Sequence, residues 1–195
     1  MNLNQKTKSS GDLRTASSNS NYFTVHRISL LAILTALVTV GRVVFALPIL
    51  PNIQPMTALL ILITLNIGVI DGLVVAGLSM LLTNMMLGMG PWTVFQIISF
   101  AVVILATGIL KYFYDYGSFT NRLVFAIWAL LTGFLYGLII SVFSFYLYGM
   151  NNFLVYYING LPFDSLHAVG NFGFFFILEP IIVPIIQKRF NNILV

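Results

Sequence analysis

Long apolar runs, broken by short polar punctuation, organise most of this chain. The runs are continuous rather than alternating, which argues for buried or lipid-facing helices and against half-exposed strands. Six runs separate at the breaks, over residues 28–47, 56–70, 72–87, 92–112, 123–147 and 165–187. About 20 apolar residues cross the hydrocarbon core of a bilayer as a helix. The predicted fold is therefore all-α, an integral membrane six-helix bundle. The second and third runs are short, and "NIGVIDGL" between them reads as a tight turn that carries Asp71. Residues 1–26 are polar and rich in Ser and Asn, which predicts a disordered cytoplasmic tail. No short apolar core with a small-residue cleavage site follows it directly, so it does not read as a secretory signal. Residues 27–190 form the transmembrane domain.

Composition sharpens this picture. Hydrophobic residues make up 59% of the chain and charged ones 7%, with a mean hydropathy of +0.98. A soluble domain carries about a quarter charged residues, so this chain lacks the groups to cover a water-facing surface. A transmembrane barrel needs short alternating strands, which are not seen. The absence of cysteine removes disulfides, thiolate metal sites and cysteine nucleophiles. The net charge of +4 is dispersed, not gathered into a nucleic-acid-binding patch.

Charge placement instead sets orientation. Lys6, Lys8, Arg14 and Arg27 precede the first run, Lys111 and Arg122 flank the fourth connection, and Lys188 and Arg189 follow the last run. With six spans all of these fall on one side, the cytoplasm by the positive-inside rule. The opposite connections, 48–55, 88–91 and 148–164, hold no Lys or Arg. Both termini are then cytoplasmic, in a multi-pass protein of the cell membrane. The halves share no evident repeat.

Several chemistries are disfavoured. There is no GxxxxGK[ST] loop for ATP, and no series of acids and histidines resembles a proton relay. Uphill transport would need energy from another subunit. An intramembrane hydrolase needs a nucleophile and base within reach. The two histidines, His26 and His167, lie at opposite edges, and no GxSxG or HExxH occurs.

Other residues stand out against the apolar background. Ala32 and Ala36 stack on one face of the first helix, where small side chains allow close helix approach, either within the bundle or with a partner. Arg42 lies near the outer end of its span, opposite to where positive charge is favoured. It either snorkels to headgroups, pairs with an acid, or faces inward to bind a ligand. "LPILPNIQPMT" follows, and Pro48, Pro51 and Pro55 stiffen a bend that holds Asn52, Gln54 and then Thr57. A plain turn uses the same residue types. "TNMMLGMGPW" offers Asn84, Trp92 and, one turn on, Gln96; Trp92 suits an aromatic belt or a pocket wall. The third outer connection brings Tyr156, Tyr157, Asn159, Asp164, His167 and Asn171 toward a possible outward-facing cavity. His167 with Asp164 alone is a poor metal site, so a hydrogen-bonded rim role suits it better. Glu179, deep in the last run beside Pro180 and Pro184, reads as a protonated acid satisfying a freed carbonyl.

Ala32-Ile-Leu-Thr-Ala36 with "GRVVFALPILPNIQPMTAL" resembles the substrate-binding S components of energy-coupling factor (ECF) transporters, nearest to the branch with cobalamin and riboflavin-type members. The resemblance covers residues 27–189. It implies capture of a vitamin at the outer face, with cobalamin as the first expectation. Riboflavin, pantothenate, and folate or queuosine precursors are alternatives, as is a stand-alone carrier or scaffold. Arg42, Asn52, Gln54, Thr57, Asn84, Trp92, Gln96, His167 and Asn171 are the substrate-contact candidates. The resemblance further implies a membrane coupling subunit docking on Ala32 and Ala36, two ATPase subunits, no cofactor and no catalysis. The chain begins Met1-Asn2-Leu3, unlike the Met-His hook of metal-ion members, so free metal ions are disfavoured.

Overall fold

The computed structural model describes residues 25–46 and 52–194, with side chains described up to Lys188. Expectations for residues 1–24, and for Pro48 and Pro51 of the bend, lie outside the described residues. Six α-helices follow one another: α1 (Val25–Phe45), α2 (Met56–Asn66), α3 (Val69–Leu87), α4 (Trp92–Leu110), α5 (Phe119–Leu147) and α6 (Phe153–Leu194). A single 3₁₀ turn, Lys111–Phe113, extends α4.

The expected six-helix architecture is present, and among the described residues five helices are long and apolar enough to cross a membrane. The exception is α2. Its 11 residues rise only about 16 Å, roughly half the hydrocarbon thickness. Every residue from Met56 to Leu65 is buried. A short helix that is apolar all round has no lipid face to prefer, so it sits at the centre of the bundle. Two clusters share it as their axis: Leu34, Val38, Leu60, Ile63, Met80 and Ile104 on one side, and Ile61, Leu62, Val103, Phe125, Ala129 and Phe175 on the other.

Helix ends follow local chemistry. Gly88 closes α3 at φ +123°, a left-handed conformation that suits glycine, and its N–H donates to the Asn84 carbonyl at 2.9 Å. Pro91 precedes α4, where a missing N–H costs nothing. Ser118 caps α5, accepting from Asn121 N at 3.4 Å. Buried hydroxyls inside the bilayer turn back on their own helices: Thr64 donates to Leu60 O at 2.7 Å, and Thr107 to Val103 O at 2.8 Å.

The largest departure from the sequence reading is α6. The stretch 153–164, expected to be part of an outer loop, is helical and continuous with the last span. Asn152 explains the start, its Oδ1 accepting from Val155 N at 3.2 Å as an N-cap. Pro162 lies inside the helix; it removes one donor without ending the rod. α5 and α6 pack closely because Gly133 leaves room: a Cβ there would lie 2.6 Å from Ala168 Cα. Gly72 similarly fits against Thr64 and Ile104.

Among the described residues, two ion pairs hold the cytoplasmic end. Arg27 at the start of α1 meets the buried carboxylate of Asp71, in the first turn of α3, at 2.6 Å. Arg122 of α5 meets the fully buried Glu179 at 2.7 Å. Tyr114 donates to the other Glu179 oxygen at 3.2 Å. Burial, reinforced by that carboxylate, holds the Tyr114 phenol above its usual range and keeps it a donor. Glu179 therefore meets Arg122 and Tyr114 rather than the freed carbonyl that its prolines had suggested. It has a cation instead.

Candidate functional site

The opposite end of the bundle gathers the polar side chains. The segment after the bend, residues 52–55, lies against α6. Asn52 adopts φ 65°, a region that Asn tolerates better than most residues. Its amide reaches Phe163 O at 3.5 Å, and its own carbonyl lies 3.0 Å from His167 Nδ1. Gly170 makes room for Ile53, whose Cα would lie 3.3 Å from a Cβ there. The other ring nitrogen of His167 lies 3.2 Å from Thr57 Oγ1. A carbonyl only accepts, so Nδ1 carries the proton toward Asn52 and Nε2 accepts from the Thr57 hydroxyl. His167 is thus buried and doubly engaged, a brace between the bend, α2 and α6.

A cavity of about 420 Å³ opens beside this brace, between the start of α4, the middle of α5 and the outer part of α6. Asn52, Gln96, Tyr136, Asn159, Asp164 and His167 supply its polar wall; Tyr156 and Phe163 supply aromatic surface. Asp164 folds onto Gly137, where no side chain could fit, and its Oδ2 has no hydrogen-bond partner among the described residues. No Lys or Arg among the described residues lines this space. A second cavity of about 270 Å³ shares Asn52 as a wall and is lined by Arg42, Gln54 and Ile53.

Arg42 points inward rather than into lipid. Its Nη1 donates to Asn84 Oδ1 at 3.0 Å, to Thr83 Oγ1, and to Met80 Sδ at 3.3 Å. Asn84, itself buried, donates onward to Thr93 Oγ1 at 2.9 Å and Gln96 Oε1 at 2.7 Å. The two outer helix ends of α1 and α3 are thereby tied to the start of α4.

The expected contact residues divide into three groups. Asn52, Gln96 and His167 line the large cavity, and Arg42, Asn52 and Gln54 the small one. Thr57 and Asn84 stand behind them, hydrogen-bonded to lining side chains. Trp92 and Asn171 do not join either wall. Trp92 is 40% exposed, with its ring folded over Gly90. Asn171 is fully buried, and neither its Oδ1 nor its Nδ2 has a partner among the described residues. Sequence reasoning missed the contribution of α5: Tyr136, Gly137, Ile140 and Ser141 line the large cavity. Their spacing, one residue then three then one, is that of a single helical face, a signal hidden by the uniformly apolar run around it.

Ala32 and Ala36 lie on the exposed face of α1, together with Ile33, Leu37 and Val40. Beside them a wholly apolar groove of about 350 Å³ runs between α1 and α6 with Pro55 and Leu59 as its floor. A second apolar hollow, of about 520 Å³, lies nearer Lys188 and is lined by Leu30, Leu34 and Ile186 among others.

The model of the ECF transporter, substrate-specific component family matches residues 26–179. The chain is an ECF S component. No curated protein and no solved structure matches it. As an S component it is a multi-pass protein of the cell membrane and a transport subunit. Its family works with ECF membrane and ATPase components on a small-molecule substrate.

Proposed function

We propose that this S component captures a vitamin in the two adjoining outer cavities, and that residues 27–190 act as one substrate-binding unit. The observation that carries this reading is the convergence of Asn52, Gln96, Tyr136, Asn159, Asp164 and His167 on one hollow at the end opposite the cytoplasmic ion pairs. In a membrane protein, polar groups facing a cavity rather than lipid mark a substrate pathway. The walls divide the work: the large cavity offers amides, phenols, an imidazole and the Asp164 carboxyl, and the small one offers Arg42. Such a lining suits a ligand fringed with neutral hydrogen-bonding groups and carrying one carbonyl or anionic group for the guanidinium.

Cobalamin is the first candidate on this chemistry, since a corrinoid bears many amides and a phosphodiester. Volume favours a second reading. Sites for drug-sized ligands span roughly 300–1,000 Å³, so a hollow of 420 Å³ holds a compact vitamin such as riboflavin without widening. A corrinoid would enter by one edge and spread the outer connections. Mass spectrometry of the small molecule carried through purification from rich medium, followed by titration of the emptied protein with cyanocobalamin and with riboflavin, separates the two. Failure to bind any vitamin would overturn the assignment.

Delivery follows from the exposed alanine face. Small side chains at Ala32 and Ala36 let a coupling-subunit helix approach the α1 backbone closely, where van der Waals packing drives association in lipid. The apolar groove beside α1 extends that face. Two ATPase subunits then supply the energy that this chain, without a phosphate-binding loop, does not.

A further inference from the structure

The bonds around Arg42 have a direction. A guanidinium donates and never accepts, so the Asn84 atom that meets it at 3.0 Å is the carbonyl Oδ1. Asn84 must then turn its NH₂ to the opposite side, where Nδ2 meets Gln96 Oε1 at 2.7 Å and Thr93 Oγ1 at 2.9 Å. With its carbonyl turned to Asn84, Gln96 carries Nε2 on the other side of its amide. Gln96 and Tyr136 both line the large cavity. The buried charge thus orders a chain of three residues on α1, α3 and α4, ending at a cavity-lining amide.

We propose that Arg42 is a positioning residue that acts through Asn84 and Gln96 to make this wall of the large cavity a donor wall, so that it receives an acceptor edge of the ligand, such as an amide or ring carbonyl. This rests on reading the cavity as the substrate site, but the ordering itself is a property of the empty protein. It is separate from any contact that Arg42 makes in the small cavity. Asn84 is the lever, because Asn84→Asp keeps size and shape while offering acceptors on both sides. The Asp would still hold Arg42, and it would turn Gln96 so that Nε2 faces the carboxylate and Oε1 faces the cavity.

Selective ¹⁵N labelling of glutamine side chains reads this directly, with the Gln96 signal identified by its loss in Gln96→Leu. Asn84→Asp should shift the Gln96 NH₂ resonances, because the carboxylate becomes their acceptor. Gln96 NH₂ resonances left unchanged by Asn84→Asp overturn the ordering. Titration supplies a second readout. For whichever of cyanocobalamin and riboflavin binds the native protein, Asn84→Asp should weaken affinity by about tenfold without lowering the thermal midpoint; a change within about twofold rejects the donor wall. If neither vitamin binds, the substrate reading fails and the resonances alone decide the ordering. Should Asn84→Asp not fold, Arg42→Gln, which accepts as well as donates, makes the same comparison.

Discussion

Arg42 shows how a single side chain can be conspicuous in a sequence while its partners stay hidden. A guanidinium near the outer end of a span contradicts the usual placement of positive charge, and that contradiction is visible in one dimension. Thr83 and Asn84, about forty positions away, become neighbours only because α1 and α3 run side by side in one register. Replacing Arg42 with Ala should weaken vitamin binding by about tenfold, roughly 1.4 kcal/mol, while co-purification with the coupling subunit persists; an unchanged affinity would remove Arg42 from the site. Glu179 was misread for a related reason. Its prolines are adjacent in sequence, whereas Arg122 lies fifty-seven positions earlier. Breaking that pair on one side strands a buried charge, and Arg122→Ala should cost about 3–5 kcal/mol. The double change Arg122→Met with Glu179→Leu should cost clearly less, as read from thermal unfolding in detergent. A double variant as unstable as the single one would mean that the pair contributes more than mutual neutralisation.

Helices were legible as apolar runs, but their ends were legible only where proline or glycine marked them. The starts of α2 and α4, after Pro55 and Pro91, agree with the sequence reading, and so does the end of α3 before Gly88. The start of α6 does not, because Tyr156, Asn159, Gly160 and Pro162 resemble loop residues while the cap at Asn152 leaves little mark. The helical start matters for the site, since it places Tyr156 and Asn159 on a rigid wall instead of a mobile cover. On α5, Gly133 packs against the Ala168 backbone. Backbone cannot swing aside as a side chain can. Gly133→Val should therefore lose about 1–3 kcal/mol and narrow the cavity beside it, measurable as a lower melting point with weaker binding. Gly77, with nothing within 4 Å of a Cβ, should tolerate Ala in the same assay.

At the level of the transporter, the molecule presents two ends and one flank, each with its own chemistry. Ion pairs lock the cytoplasmic end, hydrogen-bonding groups gather at the outer end, and small or apolar residues cover the flank of α1. Charge distribution in the sequence already indicated the orientation; the separation of the proposed site from the proposed docking face needed the fold. Replacing both Ala32 and Ala36 with Leu should abolish co-purification with the coupling subunit and stop uptake, yet leave vitamin affinity unchanged. Retained assembly would place the contact elsewhere.

The central position of α2 also governs how this chain tolerates change. A helix at the rim of a bundle can exchange one aliphatic residue for another wherever it meets lipid, since acyl chains rearrange around the new shape. From Met56 to Leu65 no residue has that freedom, as each is enclosed by protein on all sides. Ten consecutive positions of unremarkable greasy sequence should thus be the least forgiving stretch of the chain, and a saturation library scored for uptake would find its deepest intolerance there.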